Sequence, residues 1–171
     1  LRFFNVCSAL DKPVIGELHE PETHLIPTIV YKAMFNKKIY IYGNDFSTHD
    51  GTCIRDYIHI KDICSAIEKS SKFVLKNNKS KIFNIGGNKG LSNNEIVNFV
   101  SKAIKKQINL SYVKRRKGDI SKLICNPSQI NIQLGWKAKN SNLNKIVRDE
   151  IKWIKNFSKN GYIRKFKNYL K

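Results

Sequence analysis

Phe83-Asn84-Ile85-Gly86-Gly87, followed closely by Ser92-Asn93-Asn94-Glu95, decides how the chain folds. The first run is a short apolar strand that stops at a glycine turn. The second is a capping box: the Ser92 hydroxyl can accept the Glu95 amide hydrogen while the Glu95 side chain returns to the Ser92 amide. Ile96, Val97, Val100 and Ile104 then recur at helical spacing. A strand, a tight turn and a capped amphipathic helix in one stretch are the repeating unit of an α/β protein.

The same alternation extends in both directions. Upstream, Leu25, Ile29, Val30 and Ala33 predict a helix within Pro21 to Asn36, with Thr23 available as its cap and Pro27 tolerable in the first turn. Ile39-Tyr40-Ile41-Tyr42 predicts a strand ended by Gly43-Asn44-Asp45. Ile54 to Ile60 reads as extended and leads into a helix carrying Ile63, Ala66, Ile67, Phe73 and Val74. Downstream, Ile108 to Val113 is a further strand, and Pro127 opens a short helix closed by Gly135. Leu143, Ile146, Val147, Ile151 and Ile154 mark a last amphipathic helix. The opening Leu1-Arg2-Phe3-Phe4-Asn5 is strand-like without a polar lead-in and reads as a chain cut inside a sheet. Residues 1–157 form one unit on this reading, and the basic tail 158–171 is expected to be mobile.

The chain has 171 residues, a net charge of +19 and 41% hydrophobic residues, enough for one real core. No run approaches the roughly 18 apolar residues of a membrane span and no signal peptide is recognisable, so a soluble cytoplasmic protein is expected. Lysines are spread through nearly every segment rather than clustered, which reads as a solvated basic surface and not a nucleic-acid patch. Cys7, Cys53, Cys64 and Cys125 are irregularly spaced and read as reduced thiols.

Three stretches carry candidate chemistry. His19-Glu20-Pro21-Glu22-Thr23-His24 places two histidines five apart across a proline, whereas a zinc-binding helix needs them four apart; a helix start with acidic residues near it is the reading, and no metal is assigned. Gly86-Gly87-Asn88-Lys89-Gly90 lacks the spacing of a phosphate-cradling turn and reads as a plain strand-to-helix turn. Arg55 and Arg116 offer planar donor forks suited to phosphate oxygens, and Asp119 an acceptor for a ribose hydroxyl. Composition leaves that reading level with another, in which Arg55 pairs with Asp56 or Asp62 and Arg116 is merely exposed.

Four motifs resolve the ambiguity by resemblance. Leu1-Arg2-Phe3-Phe4-Asn5, Pro21-Glu22-Thr23-His24-Leu25-Ile26-Pro27, Gly51-Thr52-Cys53-Ile54-Arg55-Asp56-Tyr57-Ile58-His59 and Arg115-Arg116-Lys117-Gly118-Asp119 occur in the order seen in UDP-glucose 4-epimerases. Phe83-Asn84-Ile85-Gly86 and Leu134-Gly135-Trp136 also fit, so the chain resembles the C-terminal part of that family from Leu1 to Phe157. The family consists of extended short-chain dehydrogenase/reductases with an N-terminal Rossmann domain for NAD and a C-terminal lobe for the UDP-sugar. The resemblance implies the substrate-binding lobe together with edge elements of the parallel sheet.

It also implies residue roles. Phe4 would lie near the nicotinamide and Asn5 near the diphosphate or sugar. His24 and Leu25 would present polar and backbone groups to the nucleotide-sugar, and Tyr40 to Tyr42 would meet the uracil. Arg55 and Arg116 would neutralise the diphosphate, Asp119 would bind the ribose, Tyr57 would line the pocket, and Leu123 would bear on whether N-acetylated UDP-hexoses are accepted alongside UDP-glucose and UDP-galactose. In the family, hydride passes from sugar C4 to NAD, a Tyr acting with a Lys takes the hydroxyl proton, the 4-ketone turns over, and hydride returns to its other face. Neither a Gly-x-x-Gly-x-x-Gly turn after a first strand nor a Tyr-x-x-x-Lys pair in a helix is read here, so no catalytic residue is assigned. The piece alone is expected to be inactive, with an uncovered apolar surface near Leu1, Phe3 and Phe4. The full-length protein is expected to be a homodimer through its Rossmann domain. Another UDP-sugar enzyme of the same superfamily, a non-catalytic UDP-sugar binder and a basic nucleic-acid module are the competing readings.

Overall fold

The computed structural model describes residues 1–159 of the chain. In chain order they form β1 (Arg2–Phe3), β2 (Asn5–Cys7), β3 (Leu10–Asp11), β4 (Val14–Ile15), α1 (Leu25–Met34), β5 (Ile39–Tyr42), β6 (Ile54–His59), α2 (Ile60–Asn77), β7 (Asn84–Ile85), β8 (Gly90–Ser92), α3 (Asn93–Ile104), β9 (Leu110–Val113), β10 (Lys122–Leu123), α4 (Ser128–Leu134) and α5 (Leu143–Lys159). The class is α/β as expected. Strand pairs β1/β7, β2/β6, β6/β10 and β5/β9 are parallel, while β6/β8 and β3/β4 are antiparallel.

The opening stretch is two strands rather than one. Arg2 and Phe3 register with Asn84 and Ile85, whereas Asn5, Val6 and Cys7 register with Tyr57, Ile58 and His59. The chain changes partner at Phe4, which places Asn5 beside the middle of β6.

Two hydrophobic clusters hold the fold. Ile26, Ile29, Val30 and Ala33 of α1 meet Ile96, Val97 and Val100 of α3, Ile146, Val147 and Ile154 of α5, and Ile39 and Ile41 of β5. The second cluster packs Ile63 and Ala66 of α2 against Ile58, Phe83 and Ile85, with Ile130 and Trp136 closing one end. Each large aliphatic side chain fully buried in this way contributes about 1.5–3 kcal/mol. Ile67 and Val74, expected in the buried stripe of α2, are 44% and 45% exposed. The helix buries Ile63, Ala66 and Ser70, and Ile67 and Val74 instead line a shallow apolar cavity with Leu1 and Phe83.

Helix ends follow the sequence with one exception. Ser92 and Glu95 form the reciprocal capping box, at 3.0 Å from Glu95 N to Ser92 Oγ and 2.6 Å from Ser92 N to Glu95 Oε2. Gly135 closes α4 in the left-handed conformation at φ 58°. Thr23, however, does not cap α1. His24 is the extended N-cap residue, without a side-chain cap bond of its own, and the buried Glu22 carboxylate accepts its amide at 2.7 Å.

The turn after β7 is also more than a strand-to-helix turn, because β8 intervenes and pairs antiparallel with β6. The Gly87 and Asn88 amides donate to the buried Asp56 carboxylate at 2.8 and 2.9 Å, and Cys125 N donates to it at 3.0 Å. Asp62 is similarly enclosed, accepting from Lys139 N, Asn140 N, Asn140 Nδ2 and Ser141 Oγ. Both carboxylates are thereby spent on internal hydrogen bonds, Asp56 on backbone amides and Asp62 on backbone and side-chain donors alike. The expected partition at 157/158 falls inside α5, whose helix runs to Lys159; the mobility expected of the tail concerns residues 160–171, which lie outside the described ones.

Candidate functional site

β6 supplies the floor of a cavity of about 230 Å³. Its walls come from Asn5 at the start of β2, from His24 and Leu25 at the start of α1, from Tyr40 and Tyr42 on β5, and from Arg116 and Asp119 in the loop after β9. Arg55 and Tyr57, two apart on β6, project from the same side of that strand into it. All these residues were singled out in the sequence. Phe4 and Leu123 belong instead to an adjoining apolar cavity of about 790 Å³, which Asn5 and His24 share.

Hydrogen bonds fix the polar groups. Arg55 donates from Nη1 to the carbonyls of Ile54 at 2.9 Å and Ile120 at 2.8 Å, and its Nη2 lies 4.0 Å from Asp119 Oδ1. Arg116 donates from Nε to Asp119 Oδ2 at 3.4 Å and sits over the Tyr42 ring, 4.7 Å from its centroid. Asp119 thus stands between two guanidinium groups, and the pairing of Arg55 with Asp56 or Asp62 is not formed. Arg115 turns aside to Asp45 and the Phe46 ring. Asn5 donates from Nδ2 to the Asp56 carbonyl at 2.7 Å, and burial raises the Tyr57 phenol so that it stays protonated.

Four lining residues were missed: Thr23, which the sequence offers only as a helix cap, Thr28, Cys53 and Asn93. Asn93 is the first residue of α3, where the sequence signals only capping, and Cys53 is buried just before β6. Burial raises the Cys53 thiol, with Arg55 opposing. Nothing in their spacing marks either as a lining residue.

Two further groups bear on chemistry. Tyr57 and Lys61 stand four apart, but Tyr57 is in a strand and Lys61 in the first turn of α2, where its ammonium is bound to Asp11. They are not neighbours on one helix face. His59 is fully buried: Nδ1 accepts from Lys61 N at 3.0 Å, so Nε2 carries the hydrogen toward Asp149 Oδ2 at 3.2 Å. Burial holds its pKa down despite Asp149, and this pair is a structural brace between β6 and α5.

A cavity with two guanidinium groups, a carboxylate and three tyrosines is suited to a ligand carrying phosphate, hydroxyl and aromatic groups. The GDP-mannose 4,6 dehydratase family matches residues 3–149. The chain is 39% identical over 163 residues to a UDP-glucose 4-epimerase of Lactobacillus helveticus, covering 95% of this chain and 49% of that protein. It is 40% identical over 157 residues to a UDP-glucose 4-epimerase of Lacticaseibacillus casei, covering 91% and 47%. Its fold matches the UDP-glucose 4-epimerase of Stenotrophomonas maltophila, solved with bound NAD and formylated UDP-arabinopyranose, at a TM-score of 0.88 and 33% identity over 93% of this chain and 48% of that one. The chain spans about half the length of the curated relatives it matches. This chain therefore belongs to the GDP-mannose 4,6 dehydratase family, and within it resembles about half of a UDP-glucose 4-epimerase.

Proposed function

We propose that this chain is the UDP-sugar-binding part of a UDP-glucose 4-epimerase, interconverting UDP-glucose and UDP-galactose only in company with a cofactor-binding part. The observation that carries this reading is the convergence of Arg55, Arg116, Asp119, Tyr40, Tyr42, Asn5 and His24 on one cavity from five separate segments. Arg55 and Arg116 neutralise the diphosphate, Asp119 takes the ribose hydroxyls, and the β5 backbone meets the uracil. Leu25 closes the side of the cavity. The sugar lies toward Asn5, His24, Tyr57 and Leu123, on the side where the two cavities share lining residues. Leu123 sets the room available to an N-acetyl group.

NAD, when bound, accepts and returns the hydride at sugar C4. The residues present fit only its edge. Phe4 and the exposed Phe3 offer one apolar wall for a nicotinamide. The Gly87 and Asn88 amides of the turn after β7 are given to Asp56 and are not available to a phosphate. The proton-transfer Tyr and Lys, the rest of the NAD site and the dimer surface are assigned to the cofactor-binding part. Residues 1–157 are the functional unit on this reading, and the family-level expectation of a cytoplasmic protein is kept as part of it. No helix among the described residues is long and apolar enough to cross a membrane.

The test is UDP binding by titration calorimetry on the full chain, followed by assay of UDP-galactose conversion with and without a separately supplied NAD-binding part. Binding weakened about tenfold or more by Arg116→Ala, with conversion only in the mixture, is the expected result. Absence of UDP binding overturns the reading, and salt-sensitive binding of an oligonucleotide with no UDP effect would replace it with a nucleic-acid module.

A further inference from the structure

Glu17-Leu18-His19-Glu20-Pro21-Glu22-Thr23-His24 is chemically unlike the rest of the protein. In a chain with 32 Lys and Arg against 13 Asp and Glu, it contains no basic residue apart from two of the four histidines, and three of the acidic residues. Spacing along the sequence argues against a helical metal site. The folded loop replaces that argument, because it brings in Glu17. One donor atom each from Glu17, His19 and His24 lie within 4.8 Å of one another. The His19 and His24 rings are 5.3 Å apart between centroids, and His24 Nδ1 is 3.2 Å from Glu17 Oε1.

His24 is also held from behind. Its Nδ1 lies 3.0 Å from Oε1 of Glu22, whose side chain is fully buried and which also accepts the His24 amide. Glu17 and Glu22 face the same ring nitrogen, so a carboxylate behind Nδ1, the usual arrangement around a bound transition metal, leaves Nε2 to ligate once Glu17 turns from Nδ1 to the cation.

We propose that Glu17, His19 and His24 form a three-ligand site for a zinc-class divalent cation, with the fourth position open to solvent. Two imidazoles and one carboxylate suit zinc or cobalt better than calcium or magnesium, which take oxygen ligands. Bonds of about 2.0–2.2 Å require the donors to close by roughly 1 Å from their present separation. All three residues are exposed, and Glu17 exchanges its contact with His24 Nδ1 for the cation in doing so. Since His24 lines both cavities, a bound cation fixes one wall of the proposed nucleotide-sugar site. This last consequence rests on the proposed function, whereas the cation site does not.

The experiment is titration of the full chain with Co²⁺, followed by its visible absorption, in a Cys64→Ser background that removes the exposed thiol. Intense tetrahedral bands that Zn²⁺ displaces are expected, and Glu17→Gln and His19→Ala should each weaken binding by about tenfold or more, while His49→Ala leaves it unchanged. Far-ultraviolet circular dichroism verifies that each variant is folded. Absence of tetrahedral bands, or bands indifferent to both Glu17→Gln and His19→Ala, overturns the site. UDP titration with and without Zn²⁺ reads the coupling: a several-fold change in affinity supports it and an identical affinity overturns it. A chain that binds Co²⁺ but no UDP retains the site and loses the proposed function.

Discussion

The Arg116 guanidinium lies 4.7 Å over the Tyr42 ring while its Nε donates to Asp119. The ring and the carboxylate together aim a loop arginine into the cavity, although the loop itself has little regular structure. An arginine held on two sides loses less side-chain freedom when it meets an anion.

Arg116→Ala should therefore weaken UDP binding by about tenfold or more, the loss of one charge-assisted contact worth roughly 1.5–3 kcal/mol. Tyr42→Leu should weaken it less, by several-fold, since it frees the guanidinium without removing it. Calorimetric titration with UDP measures both.

Asp56 gives a stability prediction. Its buried carboxylate accepts three backbone amides from Gly87, Asn88 and Cys125. Burial raises its pKa, and those amide bonds only partly offset this. Asp56→Ala leaves the donors without their acceptor, and unfolding in urea should show a loss of about 3 kcal/mol or more.

Glu150 predicts a pH dependence. Burial, reinforced by the Glu22 and Glu17 charges, moves its pKa from 4.5 to about 8. Between those two values the folded chain binds the proton that the unfolded chain has lost, so this group makes stability fall as pH rises, by up to about 1.4 kcal/mol per pH unit. Above pH 8 both states are ionised and the loss is constant. Glu150→Gln should show a stability advantage that grows from pH 5 to pH 8 and then levels off in thermal unfolding across that range. An advantage independent of pH would contradict this assignment.

The Ser92→Ala variant should lose about 1 kcal/mol through the capping box. Its urea midpoint should drop while UDP affinity holds.

Periodicity revealed the elements bounded by strong local signals: Ser92 and Glu95 at the start of α3, Gly135 at the end of α4, and the alternating Ile39 to Tyr42 strand. It failed where a distant group decides. Thr23 has the chemistry of a cap, yet the helix begins one residue later, with His24 at the N-cap position and its amide held by Glu22. Ile67 and Val74 have the spacing of buried residues, yet the burying face of α2 runs through Ile63, Ala66 and Ser70. The site behaved in the same way. Arg55, Arg116 and Asp119 were recognisable as a set through family motifs, whereas their meeting around Asp119 is a property of the β6 and β9 connections that no spacing encodes. The cluster of Glu17 with His19 and His24 depends likewise on the folding of its loop.

β6 has a mechanical consequence. Tyr57 is buried in one hydrophobic cluster and the adjacent Ile58 in the other, while the strand pairs with β2, β8 and β10. Neither cluster can open without stripping partners from the same strand. Loosening one half therefore propagates through a single covalent neighbour bond into the other, and the chain should melt as one cooperative unit, with β6 amides among the slowest to exchange with deuterium.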